Sequence, residues 1–404
     1  MFLGAKMDRS YVYDFEKLGF GLFVHFGLYS VLGKGEWSKN ILKISDNEYD
    51  KLIKRFKVKK TWAKELVNNA KKAGCKYITI TTRHHDGFSL FDTKGLSDYD
   101  VMHSACGRDL IKEFVHECNK GGIVPFFYHT LLDWHVPEYN LDFSKYIDYL
   151  VKSVEVLCTS YGKIGGFWFD GMWDKKGADW QEDRLYGTIR KYQPTAMIIN
   201  NTGLSELGKL GHKELDSVTF ERGKPKFVDK SERPVAGEMC QIFNDHWGYA
   251  KYDIDYKPVK TLIEDLVDCR KYNCNYLLNV GPCGDGSLRT IDKGILEEIG
   301  KWVSLNKGFI YNIKASTITA ENADVLTDGE KYYAVIKGVG MSGNPNVTIE
   351  MGGAKKVVIN AKVTNAKWLD SGKSIPVTDN SFYAEPFLYG TSMQVRVAVL
   401  ELEI

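Results

Sequence analysis

The stretch ITTRHHDGF, Ile80–Phe88, sets His84, His85 and Asp86 side by side directly after a β-type run. Two imidazoles beside a carboxylate suit a metal, a proton in transfer or the hydroxyls of a substrate. Further along, GFWFDG carries Asp170 behind three aromatic residues, VTFERGKP carries Glu221, and GEMCQIFNDHWGY carries Glu238 and Trp247. An isolated Asp-Gly reads most simply as a turn. At the end of an apolar strand, however, the same carboxylate points from a desolvated backbone into whatever lies beyond. His25, Tyr128, Asn200, Asn201 and Asn279 also end apolar runs, and Trp37, Phe88, Trp134, Trp168, Trp173 and Trp247 lie near them in the chain. Carboxylates, histidines and aromatic platforms together suit a carbohydrate, whose hydroxyls need polar partners and whose C–H faces stack on rings. Successive residues of a regular strand point to opposite faces, so His84 and His85 cannot easily chelate one ion, and no metal site is expected.

These residues need elements to aim them. Up to about Lys307, short apolar runs alternate with amphipathic stretches. The strand candidates are GFGLFVHFG, KYITITTRH, IVPFFYHT, IGGFWFDG, AMIINN, SVTFE, AGEMCQI and NYLLNVGP. Unbroken apolar runs of this length fit strands covered on both faces. Helical periodicity marks residues 61–74, 109–121, 144–161, 179–193, 259–272 and 289–303, while no convincing helix lies around strands five to seven. The pattern predicts a (β/α)8-like, TIM-type barrel over residues 1–310, irregular on one side, with its active site at the carboxyl ends of the strands. After Tyr311, alternating segments (KYYAVIKG, NVTIEM, KVVINA, NAKWLD, MQVRVAVLELEI) separated by TDG, SGN, DSG and TDN predict a C-terminal β-sandwich over 311–404.

Bulk properties bound the remainder. A chain of 404 residues exceeds the ~250–300 at which a single core stops growing, in agreement with two domains. A formal net charge of +2 provides no basic stripe for nucleic acid. No apolar run approaches a membrane span. The eight cysteines show no CxxC spacing and fit a reducing compartment. The N-terminal residues lack the apolar run and cleavage site of a secretory signal, so a cytoplasmic location is expected, or secretion if a signal has been removed. The glycines of NVGPCGDG lack the GK[ST] ending of a phosphate loop, and no cofactor is expected.

Taken together, GLFVHFGLYSV with GEW, RHHDGFSLF, RDLIKEFVHECNKGGI, FWFDG, HWGY and NYLLNVGPCGDG resemble, in order, the block motifs of the alpha-L-fucosidases of glycoside hydrolase family 29. The resemblance spans the first 310 residues and implies a (β/α)8-like catalytic domain followed by a β-sandwich. It also implies an exo-acting enzyme that removes terminal alpha-L-fucose from fucosylated oligosaccharides or glycoconjugates with retention, through a covalent intermediate. By resemblance Asp170 is the nucleophile. Glu221 is the preferred acid/base and Glu238 the alternative. His25, His84, His85, Glu36 and Trp37 match residues that contact fucose, and Tyr128, Trp168 and Trp247 belong with the same pocket. Asp86 either orients a histidine or caps the turn before Gly87, and His129 and His135 have weaker claims. One departure stands out: many members carry an arginine after strand five in an NDRW-like segment, where this chain reads IINNTGL. Arg222, beside Glu221, offers a substitute guanidinium. A catalytically silent fucose-binding protein on the same scaffold is the alternative from another class.

Overall fold

The computed structural model describes residues 8–349 and 351–403. The eight expected strands close in chain order into one parallel barrel: β1 (Phe20–Val24), β2 (Tyr77–Arg83), β3 (Val124–Thr130), β4 (Gly166–Asp170), β5 (Met197–Asn201), β6 (Ser217–Thr219), β7 (Ala236–Ile242) and β8 (Cys274–Val280). Alternation along each strand divides the side chains. Phe23, Tyr77, Phe126, Tyr128, Trp168, Met197 and Leu277 fill the interior, while Leu22, Ile78, Phe127 and Phe167 face the surrounding helices. One glycine shapes this interior: a Cβ on Gly21 would lie 2.4 Å from the ring of Tyr77, so its absence lets that ring cross the barrel.

An initial helix, α1 (Ser10–Leu18), closes the amino-terminal end of the barrel, with Phe15 packed on Tyr77 and Phe126. The outer helices α2 (Trp62–Ala73), α3 (Leu110–Gly121), α4 (Phe143–Ser160), α5 (Glu182–Tyr192), α6 (Val259–Lys271) and α7 (Thr290–Leu305) follow β1–β4, β7 and β8. As the sequence predicts, β5 and β6 lack a helix after them, apart from the short 3-10 turn Leu204–Glu206. β5 and β6 are joined in register only at Ile199–Ser217. Buried Asp216 compensates: its carboxylate accepts from Ile198 N–H (2.9 Å), Arg9 (2.7 Å), Arg190 (2.6 Å) and the Tyr11 hydroxyl (3.0 Å). Charge-assisted bonds thus clip together the side that helices leave uncovered.

Arg270 of α6 is buried and satisfies its whole guanidinium. It donates to the carbonyls of Cys274 (2.7 Å), Glu16 (3.0 Å), Ile310 (3.1 Å) and Ile313 (3.2 Å) and to Asn275 Oδ1 (2.9 Å). α1, β8 and the segment leaving α7 therefore meet on one side chain. Arg270→Met strands several buried acceptors and is expected to destabilise the protein by about 3–5 kcal/mol. Thermal denaturation reads this, and turnover per folded molecule should stay unchanged.

Beyond α7 the chain forms two antiparallel sheets. One orders the strands 362–368, 394–403, 332–339, 324–327 and 314–315; the other orders 320–321, 355–359 and 381–384. Val325, Ala334 and Ile336 of the first meet Val357, Ile359 and Phe382 of the second in a common core. Trp302 of α7 donates to the Val395 carbonyl (3.1 Å), and Lys271 pairs with Asp324 (2.6 Å), which docks the sheets on the barrel helices. One expected strand is corrected. Residues 346–349 of NVTIEM do not form a strand: Asn344, ahead of Pro345, accepts from the amides of Val347 and Thr348 through its carbonyl and from that of Asn346 through its side chain. Turn chemistry overrides the alternation there and leaves Val347 and Ile349 exposed.

Candidate active site

The strands deliver their terminal residues to one cavity of about 680 Å³ at the carboxyl end of the barrel. Its lining contains His25, Glu36, Trp37, His84, His85, Tyr128, Trp168, Asp170, Glu221 and Trp247, all expected from the sequence. Phe23, Trp173, Lys176, Asn201, Arg222 and Asp245 join them.

Asp170 is the last residue of β4. Gly171 after it has φ +97°, and a Cβ there would lie 2.7 Å from the Leu132 nitrogen, so the sharp turn needs glycine. The carboxylate is ringed by donors. Tyr128 O–H reaches Oδ2 at 2.9 Å, Trp173 Nε1–H reaches Oδ1 at 3.2 Å, Asn201 Nδ2–H reaches Oδ1 at 3.3 Å, and His85 Nε2 stands 3.5 Å from Oδ2. Burial opposes its charge, but the bonds from His85, Trp173 and Tyr128 outweigh it and hold the carboxyl below its usual range.

Glu221 follows β6 and lies across from it. The same Asn201 amide nitrogen donates to Glu221 Oε2 at 2.7 Å. Two oxygens within reach of one nitrogen are no more than about 6 Å apart, a spacing compatible with the ~5–5.5 Å of carboxyl pairs in retaining glycosidases. Burial, and then the neighbouring Asp170 charge, raise the Glu221 carboxyl above its ordinary value. The two acids are thus pushed in opposite directions, the pattern that separates a nucleophile or base from a proton donor. Arg222 Nε stands 3.7 Å from Glu221 Oε1, and Asn201 occupies the strand-five end where the sequence departs from the family's arginine.

Neighbours set the proton positions on the histidines. Asn279 donates its amide to the Trp247 carbonyl (2.7 Å), which turns its oxygen toward His25 Nδ1 (2.6 Å). Nδ1 is therefore the donor and Nε2 carries the lone pair, and burial keeps His25 neutral by lowering its pKa to about 3. Thr130 donates its hydroxyl proton to the Leu132 carbonyl (2.5 Å), so His85 Nδ1, 2.7 Å from the Thr130 oxygen, must donate as well. That directs Nε2 at Asp170, an ion pair when both ring nitrogens carry protons. Glu36 is buried and accepts from Gly248 N–H at 2.8 Å; burial raises its pKa.

The adjacent histidines share the cavity because β2 ends at Arg83 and its register with β3 shifts between Thr81 and Arg83. The strand period no longer applies at His84, and the two rings lie 4.2 Å apart. The Asp86 side chain bonds to neither histidine. It accepts from Tyr49 O–H (2.8 Å) and Phe88 N–H (3.2 Å), which makes it a turn residue. His129 bonds Thr82 and Ser153 in the wall, and His135 stacks on Tyr99.

Glu238, the alternative second carboxylate, is absent from the cavity lining. It lies inside the barrel beneath Trp168, accepting from Trp168 Nε1–H (2.9 Å) and Tyr77 O–H (2.5 Å). Its β7 position pairs with Thr219 of β6, so its side chain meets the filled interior while Glu221, two residues later on the β6 path, clears it. Burial raises Glu238 from its ordinary 4.5 to about 7. A carboxyl raised on folding stabilises fully below about 4.5 and loses that contribution as pH rises to about 7. Glu238→Gln cannot ionise, so its melting temperature relative to wild type should climb across that window in thermal scans at stepped pH.

With this geometry in view, residues 5–308 match the family model described as alpha-L-fucosidase. The chain belongs to the alpha-L-fucosidase family. It is accordingly a glycoside hydrolase by membership. Among its relatives, the alpha-L-fucosidase of Dictyostelium discoideum is 26% identical over 74% of this chain and 70% of the relative. Alpha-L-fucosidase isoenzyme 1 from Paenibacillus thiaminolyticus superposes with a TM-score of 0.84 at 29% identity, covering 98% of this chain and 100% of that structure. A glycoside hydrolase family 29 enzyme from Bacteroides thetaiotaomicron shares the fold (TM-score 0.81, 23% identity, 100% and 98% coverage). That protein was captured as a trapped covalent intermediate with 2-fluoro-fucosyl fluoride.

Two residues of this site had weaker signals in the sequence. Trp173 lies three residues beyond Asp170, a separation that a tight turn brings back on itself. Asn201 differs from Asn200 only by the strand period: Asn200 bonds Tyr186 (3.0 Å) on the outside, and Asn201 faces the carboxylates.

Proposed function

We propose that this protein is an exo-acting retaining alpha-L-fucosidase that releases terminal alpha-L-fucose from fucosylated oligosaccharides or glycoconjugates. The observation that carries this reading is the Asn201 bridge between two carboxyl groups whose proton affinities are pushed apart. Asp170, ionised and aimed by Tyr128, Trp173 and Asn201, attacks the anomeric carbon and forms a fucosyl ester. Glu221, protonated, gives its proton to the departing oxygen and afterwards takes one from the water that cleaves the ester. The His25 Nε2 lone pair accepts a fucose hydroxyl, His84 and Glu36 bond others, and Trp37, Trp168 and Trp247 line the apolar walls against the sugar's C–H faces and methyl group.

A depressed nucleophile and a raised acid give a bell-shaped dependence of kcat/KM on pH. Activity is lost at low pH as Asp170 protonates and at higher pH as Glu221 ionises. The deciding assay is hydrolysis of an aryl alpha-L-fucoside followed by proton NMR of the first-formed sugar. Fucose released first as the alpha anomer is expected; release as the beta anomer overturns the retaining mechanism. Tight fucose binding without turnover would leave the silent-binder reading. All eight cysteines are free thiols, which supports a reducing compartment as the place of action.

A further inference from the structure

The proposed acid/base fixes where the leaving group lies, because the glycosidic oxygen must meet Glu221. The lining from Glu221 toward solvent comes from three neighbouring loops: Lys176 after β4, Leu204 and Ser205 after β5, and Arg222 after β6. Lys176 and Arg222 are exposed cations. Among the described residues the Arg222 guanidinium has no hydrogen bond, and its nearest acid is Glu221 at 3.7 Å. Lys176 Nζ reaches only the neutral Ser205 hydroxyl, at 3.4 Å. Arg222 is held at φ +49° by its own amide, which bonds the Cys240 carbonyl (2.9 Å), so the loop keeps this residue at the rim despite backbone strain. When Glu221 carries the proton it will donate, neither cation keeps an ion-pair partner among the described residues: the one carboxylate whose charge is felt at Lys176, that of Glu206, is already paired with Lys209 at 2.8 Å. Three other carboxylates line the cavity: Asp170 is held by Tyr128, Trp173 and Asn201, Glu36 is buried against Gly248, and Asp245 belongs to the β7 loop and borders a second cleft with His246 and Asp253. Leu204, 57% exposed, adds an apolar surface beside the cations.

We infer that the leaving-group site takes an anionic aglycone, a sugar or ring bearing a carboxylate or sulfate ester that pairs with Lys176 and Arg222. This rests on Glu221 being the proton donor of a fucosidase. The site differs from the fucose pocket itself, where buried histidines and tryptophans dominate. A planar guanidinium and a mobile ammonium together suit carboxylate and sulfate oxygens.

The test compares two aryl alpha-L-fucosides of similar leaving-group acidity, one with a meta-carboxylate and one with a meta-carboxamide. At roughly 20 mM salt the carboxylate should be preferred by about tenfold in kcat/KM, and at about 300 mM salt the preference should shrink several-fold through screening. Lys176→Gln should lower the preference about threefold while leaving the carboxamide rate unchanged, and Lys176→Glu should lower it further. Equal rates for both fucosides at low salt, or a preference unaltered by Lys176→Glu, overturn the anionic site and leave the fucosidase reading standing. Turnover of neither substrate overturns both.

Discussion

Asp170→Gly is expected to lower kcat on an aryl alpha-L-fucoside by about four orders of magnitude or more, the scale seen when an enzyme loses its nucleophile. The variant should still fold. The end of β4 is fixed by its backbone, with the Asp170 carbonyl accepting from Leu131 N–H at 2.7 Å, and the turn that follows belongs to Gly171. What disappears is the carboxylate against which Tyr128, Trp173, Asn201 and His85 are arrayed. A small anion such as azide can occupy that space, held by the same donors. It should attack the anomeric carbon from the vacated side, restore part of the turnover and yield the beta-fucosyl azide. Rescue follows from the geometry because Glu221 is untouched and still protonates the leaving oxygen. Wild-type turnover without azide would remove Asp170 from the mechanism, and an alpha-azide product would mean that attack comes from elsewhere.

Most of what positions this residue was legible in the sequence. Apolar runs covered on both faces announced the barrel, and the missing helices after β5 and β6 were visible as missing periodicity. The carboxyl-end rule gathers His25, Tyr128, Asp170, Glu221 and Trp247 from separate runs at one rim. The details that escaped depend on local breaks in period. A strand rule places His84 and His85 on opposite faces, and only the shift after Thr81 reconciles them. Asn201 carries no sequence mark separating it from Asn200, yet it touches both carboxylates. NVTIEM had a strand's alternation but follows Asn-Pro, whose turn is decided by local hydrogen bonds. Glu238 sits in a well-matched motif, and motif membership alone cannot separate a buried support from a group in the cavity.

The distinction between Glu221 and Glu238 can be drawn by leaving-group dependence. Glu221→Gln should lower the first step by roughly 10²–10⁴-fold on a disaccharide, whose departing hydroxyl needs a proton. The same step on fucosyl fluoride or a dinitrophenyl fucoside should hardly change, since those groups leave unaided. Hydrolysis of the ester also loses its base, so with an activated substrate the covalent intermediate should accumulate and give a burst. Azide should then speed release, and because Asp170 has already inverted the centre once, the product should be the alpha-fucosyl azide. The alkaline limb of the pH profile, assigned to a Glu221 raised by burial and by Asp170, should vanish with the carboxyl. Glu238→Gln should show none of this. Its amide can still accept from Trp168 and bond Tyr77, and Trp168 can still stack on Tyr128 (rings 5.7 Å apart), so the wall of the fucose pocket keeps its shape. Should Glu238→Gln instead abolish turnover while Glu221→Gln leaves both substrate classes unaffected, the roles given to these two glutamates would have to be exchanged, and the interior of the barrel would have to open to admit the leaving oxygen.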